Sequence, residues 1–127
     1  MFVSIGNSRM DKKFNCTDMT YEDFVSRLSK TKYTAETMEQ YRKMPKGQQD
    51  NIKDVGGFVL GKLKGGRRKK DCVISRSAIT LDMDYGTQGI IDELEMFFDM
   101  KMVVYSTHKH TPEKTAYHHI PDKGCDT

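Results

Sequence analysis

The run Ser77-Ala-Ile-Thr-Leu-Asp-Met-Asp-Tyr-Gly86 constrains this chain more than any other stretch. Ile79, Leu81 and Met83 alternate with Thr80, Asp82 and Asp84, which is the period of a strand with one face against a core. Successive side chains leave a strand on opposite sides, so the two carboxylates share a face. Their Cα atoms should lie about 6–7 Å apart at a rise of roughly 3.3 Å per residue. Two carboxylates at that separation can converge on one hard cation or flank a pair of them. Polar residues at a solvated strand end would give the same pattern. Gly86 then lets the chain turn.

The residues after Gly86 give the acidic pair a context. Thr87 is placed to cap a helix in which Ile90, Ile91, Leu94, Phe97 and Phe98 recur at helical spacing, and Met102-Val-Val-Tyr105 reads as an apolar strand. A strand, a crossover helix and a second strand normally run parallel in one sheet, connected right-handed. Both strands then end at the same edge. Asp82 and Asp84 close the first; Ser106, His108 and His110 close the second. Open α/β sheets place ligands at such an edge, so an acidic pair meeting a histidine there is a functional signal.

The rest of the chain reads as α+β. Phe2 to Ile5 is expected to form a first strand. Thr20 with Asp23 resembles a capping box ahead of the apolar stripe Phe24, Val25 and Leu28. A second helix is expected behind Thr34, running to Met44, where Pro45 stops it. Lys46 to Asp54 holds a further short helical turn, and Gly56-Gly57 breaks it. Phe58-Val-Leu60 begins an extended segment that pairs with Cys72-Val-Ile-Ser75 across a hairpin loop.

At 127 residues the chain suits one domain with a modest core, and 31% charged residues suit a soluble protein. It holds no apolar run long enough to span a bilayer, and Met-Phe-Val-Ser-Ile-Gly is too short and polar for a secretory signal. Cys16, Cys72 and Cys125 are odd in number and far apart, so reduced thiols and a cytoplasmic location are expected. The nine methionines suit adaptable core packing.

Charge is concentrated in one place. Lys62, Lys64, Arg67, Arg68, Lys69 and Lys70 crowd the hairpin around Gly65 and Gly66. The loop reads either as a track for nucleic-acid phosphates, with Arg76 and Gly6-Asn-Ser-Arg9 as further candidates, or as a solvated hairpin that guards a strand edge. A zinc site assembled from His108, His110, His118, His119 and Cys125 fits no standard finger spacing. No P-loop or nucleophile–base triad is present.

Five segments, taken in order, carry a resemblance. Asp54-Val-Gly-Gly-Phe58, Leu63-Lys-Gly-Gly-Arg-Arg-Lys69, Ser75-Arg-Ser77, Leu81-Asp-Met-Asp-Tyr85 and Tyr105-Ser-Thr-His-Lys-His-Thr-Pro-Glu-Lys114 look like the N-terminal primase-polymerase domain of phage and mobile-element primase-helicases of the virulence-associated protein E type. The likeness covers about Phe2 to Lys114. It implies an RRM-like half of a primase-polymerase domain, a mixed sheet with helices packed on one face. It further implies Mg²⁺ or Mn²⁺ on Asp82 and Asp84, and a histidine contacting the phosphates of an incoming nucleotide. His110 is the first choice for that histidine and His108 the competitor, with Ser106, Lys109 and Lys114 as nucleotide contacts. The implied chemistry is nucleotidyl transfer.

The chain also departs from that pattern. After Thr111-Pro-Glu-Lys114 such primases continue with Pro-Arg-x-Arg, an apolar strand and a further acidic motif. Here the sequence reads Thr115-Ala-Tyr-His-His-Ile-Pro-Asp-Lys-Gly-Cys-Asp-Thr127. Residues 1–114 are therefore expected to form the primase-like domain and 115–127 a divergent tail. Thr115 to Ile120 would add an edge strand, and Asp122 or Asp126 is the candidate replacement for the missing carboxylate. The isolated chain is expected to be catalytically incomplete and to hold metal weakly. Its partners would be nucleic acid or a nucleic-acid-handling host protein, with no membrane, and its oligomeric state stays open. The alternative is a non-enzymatic inhibitor, an anti-CRISPR or host-replication inhibitor, on a truncated primase scaffold.

Overall fold

The computed structural model describes residues 1–87, 89–108, 110 and 115–121, with the backbone alone at Tyr85 and across 115–121. The architecture is mixed α+β, built as two units that meet in sequence between Ser75 and Arg76.

In the first unit, β1 (Phe2–Gly6) is the middle of a three-stranded antiparallel sheet, flanked by β2 (Asn15–Asp18) and β3 (Gly57–Val59). Ser4 pairs in register with Cys16 on one side and Val59 on the other. Its side chain is fully buried, and its hydroxyl donates to the Gly61 carbonyl at 2.8 Å, so the buried polar group is satisfied. The core around β1 is Val3, Phe14, Phe24, Tyr41, Leu60 and Leu63. Phe24 and Phe58 meet edge to face, with ring centroids 5.1 Å apart.

Three short helices lie in sequence between β2 and β3. α1 (Tyr21–Leu28) starts where Thr20 accepts the Asp23 backbone N–H at 3.1 Å, as the sequence predicts. α2 (Met38–Lys43) begins later than expected. Thr37, not Thr34, caps it, because Thr37 and Gln40 form a complete capping box with reciprocal side-chain and backbone bonds. Met44 is extended ahead of Pro45, which opens α3 (Lys46–Ile52). β2 has no counterpart among the sequence expectations, because Asn15-Cys-Thr-Asp18 is exposed at every position and shows no apolar period. It is a strand by virtue of its bonds to β1 alone.

The connector after β1 is tied down by two carboxylates. Asp54 accepts from the Ser8 hydroxyl at 2.7 Å and from the backbone N–H groups of Arg9 at 2.9 Å and Gly56 at 3.1 Å. Asp11 accepts from the backbone of Asn7 and Ser8. The expected extended segment after Gly57 splits at Leu60, and β4 (Gly61–Leu63) pairs with β5 (Val73–Arg76) in a separate two-stranded sheet.

In the second unit, β6 (Leu81–Gly86), α4 (Ile90–Phe97) and β7 (Met102–Ser106) realise the expected strand, helix and strand. β8 (Thr115–Pro121) was expected at an edge, yet it lies between them in the order β6-β8-β7. Both neighbours are antiparallel to β8, so β6 and β7 are parallel to each other, as the crossover predicts. Two details of α4 differ from expectation. Its cap is Gly89, and the Thr87 carbonyl accepts from the Ile90 N–H. Leu94 is buried, whereas Phe97 is 80% exposed, because the helix ends there and the chain leaves in extended conformation.

The first unit can be tested at two positions. Phe24→Ala should lower unfolding free energy by about 3–5 kcal/mol in a denaturant titration, the usual cost of emptying a fully buried aromatic site. The Ser8 hydroxyl and then the Arg9 N–H hold the Asp54 carboxyl below its usual value of 3.8. A depressed folded value means the contribution is present above 3.8 and is lost as pH falls through the folded value. Asp54→Asn should therefore be less stable at neutral pH and show a shallower loss of stability on acidification.

Candidate functional site: an acidic sheet edge and a basic loop

The alternation along β6 is the one the sequence predicts. Leu81 and Met83 are half-buried, and Asp82 and Asp84 are exposed. Register then extends the row across the sheet. Asp82 pairs with His118 on β8, and His118 pairs with Tyr105 on β7, so Asp82 and Tyr105 share one level and one face. Met83, Tyr117 and Ser106 make the next row, which alternation assigns to the opposite face.

The pairing is irregular beside Asp84. Met83 lies opposite Tyr117 and Gly86 opposite Thr115, so Asp84 and Tyr85 together face Ala116. Two residues against one is the count of a β-bulge, which bends a strand and re-aims its side chains, and which is common next to binding sites. The acidic pair thus straddles the last regular position of β6.

β7 ends at Ser106, and the chain turns at once: the His110 N–H donates to the Thr107 carbonyl at 3.0 Å. His108 and His110, both half-buried, therefore lie beyond the end of β7, which Ser106 alone of the three closes. Because β6 and β7 are parallel, this turn and the Asp82/Asp84 segment lie toward the same edge of the sheet. Ser106 ends the strand on the face opposite Asp82. Lys109, Lys114, Asp122, Cys125 and Asp126 lie outside the described residues. His118 and His119 are positions on the central strand β8, where the backbone is described.

Tyr105 shares the level of Asp82 in the candidate site, and sequence reasoning did not single it out. Burial pushes its phenol up to about 12, and the negative charge of Asp82 adds to the shift. The signal was present in the apolar strand around Tyr105, but the row that joins it to Asp82 exists only because β8 lies between the two strands.

Among the described residues, no group of three or more His, Cys, Asp or Glu side chains is arranged to hold a metal ion. Asp82 and Asp84 fit a Mg²⁺ or Mn²⁺ ion only in part. They offer oxygen donors of the right hardness, and phosphate oxygens or water would have to complete the coordination.

The basic loop belongs to the first unit and is far from an open hairpin. Residues 64–72 form two 3₁₀ turns, at Lys64–Gly66 and Lys70–Cys72. The Arg67 N–H donates to the Lys64 carbonyl, and the Cys72 N–H to the Lys69 carbonyl. Gly65 and Gly66 have φ of 62° and 68°, which favours glycine at both. The Phe14 N–H donates to the Gly66 carbonyl at 2.8 Å, and a side chain on Gly66 would strike the Phe14 backbone. Arg68 lies over the Phe14 ring at 5.4 Å, and Lys62 over the Phe2 ring at 3.8 Å. Lys64, Arg67, Arg68, Lys69 and Lys70 are exposed, and Lys62 is half-buried. Arg76, at the end of β5, is exposed as well.

The family model of the VapE N-terminal domain matches residues 1–121, and the chain belongs to that family. It is thus a VapE-like protein of the kind associated with phages and mobile elements. No curated protein and no solved structure gives a significant match. Among the described residues, no helix is long and apolar enough to cross a membrane.

The Tyr105 environment is open to direct measurement. In a spectrophotometric titration, the difference between the wild type and Tyr105→Phe should reveal a phenol that ionises near pH 12. Asp82→Asn should move that transition downward, since it removes a neighbouring negative charge.

Proposed function

We propose that this chain is a primase-polymerase-like module that binds a nucleotide and a divalent cation at the Asp82/Asp84 edge and nucleic acid at the basic loop, and that it is catalytically incomplete by itself. The observation that carries the reading is the parallel arrangement of β6 and β7, which brings the acidic pair and the 107–110 turn toward one sheet edge. Membership of the VapE N-terminal domain family supports it.

Each residue's part follows from its chemistry. Asp82 and Asp84 supply carboxylate oxygens for Mg²⁺ or Mn²⁺, and the bulge beside Asp84 sets its angle relative to Asp82. Such a cation, when bound, supplies charge neutralisation at a triphosphate and acidifies a hydroxyl. His108 and His110 sit beyond the end of β7, from where an imidazole donates to a phosphate oxygen. Tyr105 stays a neutral phenol through the physiological range and adds no second negative charge beside Asp82. Two carboxylates make a weak site, because these cations take about six oxygen ligands in octahedral geometry.

Calorimetric titration with Mn²⁺ should give a weak isotherm for the wild type, strengthened by a deoxynucleoside triphosphate, and none for the Asp82→Ala, Asp84→Ala double variant. Identical isotherms would remove the cation site. Primer synthesis and primer extension by the isolated chain should stay at background. Template-dependent incorporation that vanishes in Asp82→Ala would overturn the reading that the chain is catalytically incomplete by itself.

A further inference from the structure

The six cations of residues 62–70 are equivalent in sequence and inequivalent in structure. Gly6 and Gly57 are register partners on β1 and β3. A side chain on Gly6 would run into the Phe14 ring, so the ring lies directly against the Gly6 backbone. Phe14 is 1% exposed, and the Arg68 guanidinium closes over it, with Nη1 passing 3.8 Å from where a Cβ on Gly57 would stand. The Phe14 ring thus has the strand glycine directly against it and the Arg68 guanidinium within cation–π range. Gly66 is hydrogen-bonded to the same phenylalanine from the loop side. Lys62 is engaged in the same manner by Phe2. Lys64, Arg67, Lys69 and Lys70 have exposed side chains on a backbone already fixed by the two turns.

We propose that the loop's charges divide by role. Lys64, Arg67, Lys69 and Lys70 meet the phosphodiester backbone of a nucleic acid, while Arg68 and Lys62 are positioning residues that pin the loop to Phe14 and Phe2. The inference rests on the nucleic-acid part of the proposed function and makes it specific. A loop held in one conformation before binding loses little freedom on contact, so affinity depends on the pins as well as on the charges. The contacts address phosphates and carry no base information, so binding is sequence-independent.

The two roles leave different signatures in salt. Each phosphate contact releases a counterion and steepens the fall of log K with log salt by roughly 0.7 for a single strand and 0.9 for a duplex. The test is binding of fluorescent single-stranded and duplex oligonucleotides by the full chain, measured by anisotropy over a range of salt. Lys64→Gln, Arg67→Gln, Lys69→Gln and Lys70→Gln should each weaken binding and flatten the slope by about that amount. Arg68→Gln and Phe14→Leu should weaken binding roughly two- to fivefold, the equivalent of one exposed cation–π contact, and leave the slope as in the wild type. Thermal melts accompany both. Phe14 is buried, so the exposed Arg68 variant carries the comparison if Phe14→Leu does not fold.

Arg68→Gln flattening the slope like its neighbours would overturn the division of roles while leaving nucleic-acid binding in place. Arg68→Gln binding as tightly as the wild type would overturn it as well. A wild-type chain that binds neither oligonucleotide would overturn this inference together with the nucleic-acid part of the proposed function, and would direct attention to an acidic protein surface.

Discussion

Each half of the chain is organised by a strand that is bonded on both sides. In the first half it is β1, whose central residues Ser4 and Ile5 pair with β2 and β3 at once. In the second it is β8, which holds β6 and β7 apart and makes them parallel. Pairing on both edges leaves a strand no freedom of register, because a shift by one residue would reverse the faces on either side. The relation between Asp82 and Tyr105 is a direct product of that constraint. So is the glycine pair Gly6 and Gly57, which meet only because β1 and β3 are in this register.

Sequence periodicity recovered the elements that have an apolar rhythm. β6 was legible because Leu81 and Met83 alternate with two aspartates, and α1 because Thr20 and Phe24 mark its start and its buried face. β2 was not, since four exposed residues carry no rhythm and the strand exists only through its partner. The cap at Thr37 shows how local chemistry decides between similar signals. Thr34 and Thr37 both precede a helical pattern, but only Thr37 has glutamine three residues on. The order β6-β8-β7 was beyond reach, because nothing in Thr115 to Pro121 states which edges it will join.

The two candidate sites illustrate opposite limits of motif reading. The D-x-D pair was visible as a motif, while its geometry depends on a bulge that only pairing reveals. The basic run was visible as a charge density, while its internal order depends on two aromatic residues that lie elsewhere in the sequence, Phe2 and Phe14. In each case residue type announced chemistry, and long-range contacts determined which atoms are available for it.

The central place of β8 has a consequence for how the second half is made. Its two neighbours precede it, so during synthesis β6 and β7 leave the ribosome without the strand that satisfies their inner backbone groups. Until β8 arrives, each presents unpaired edges of the kind that recruit strands from other chains. Closing the sheet also requires contacts distant in sequence, which slows the search. The second half is therefore expected to complete its sheet late, and its yield of native molecules to depend on how quickly β8 finds the gap.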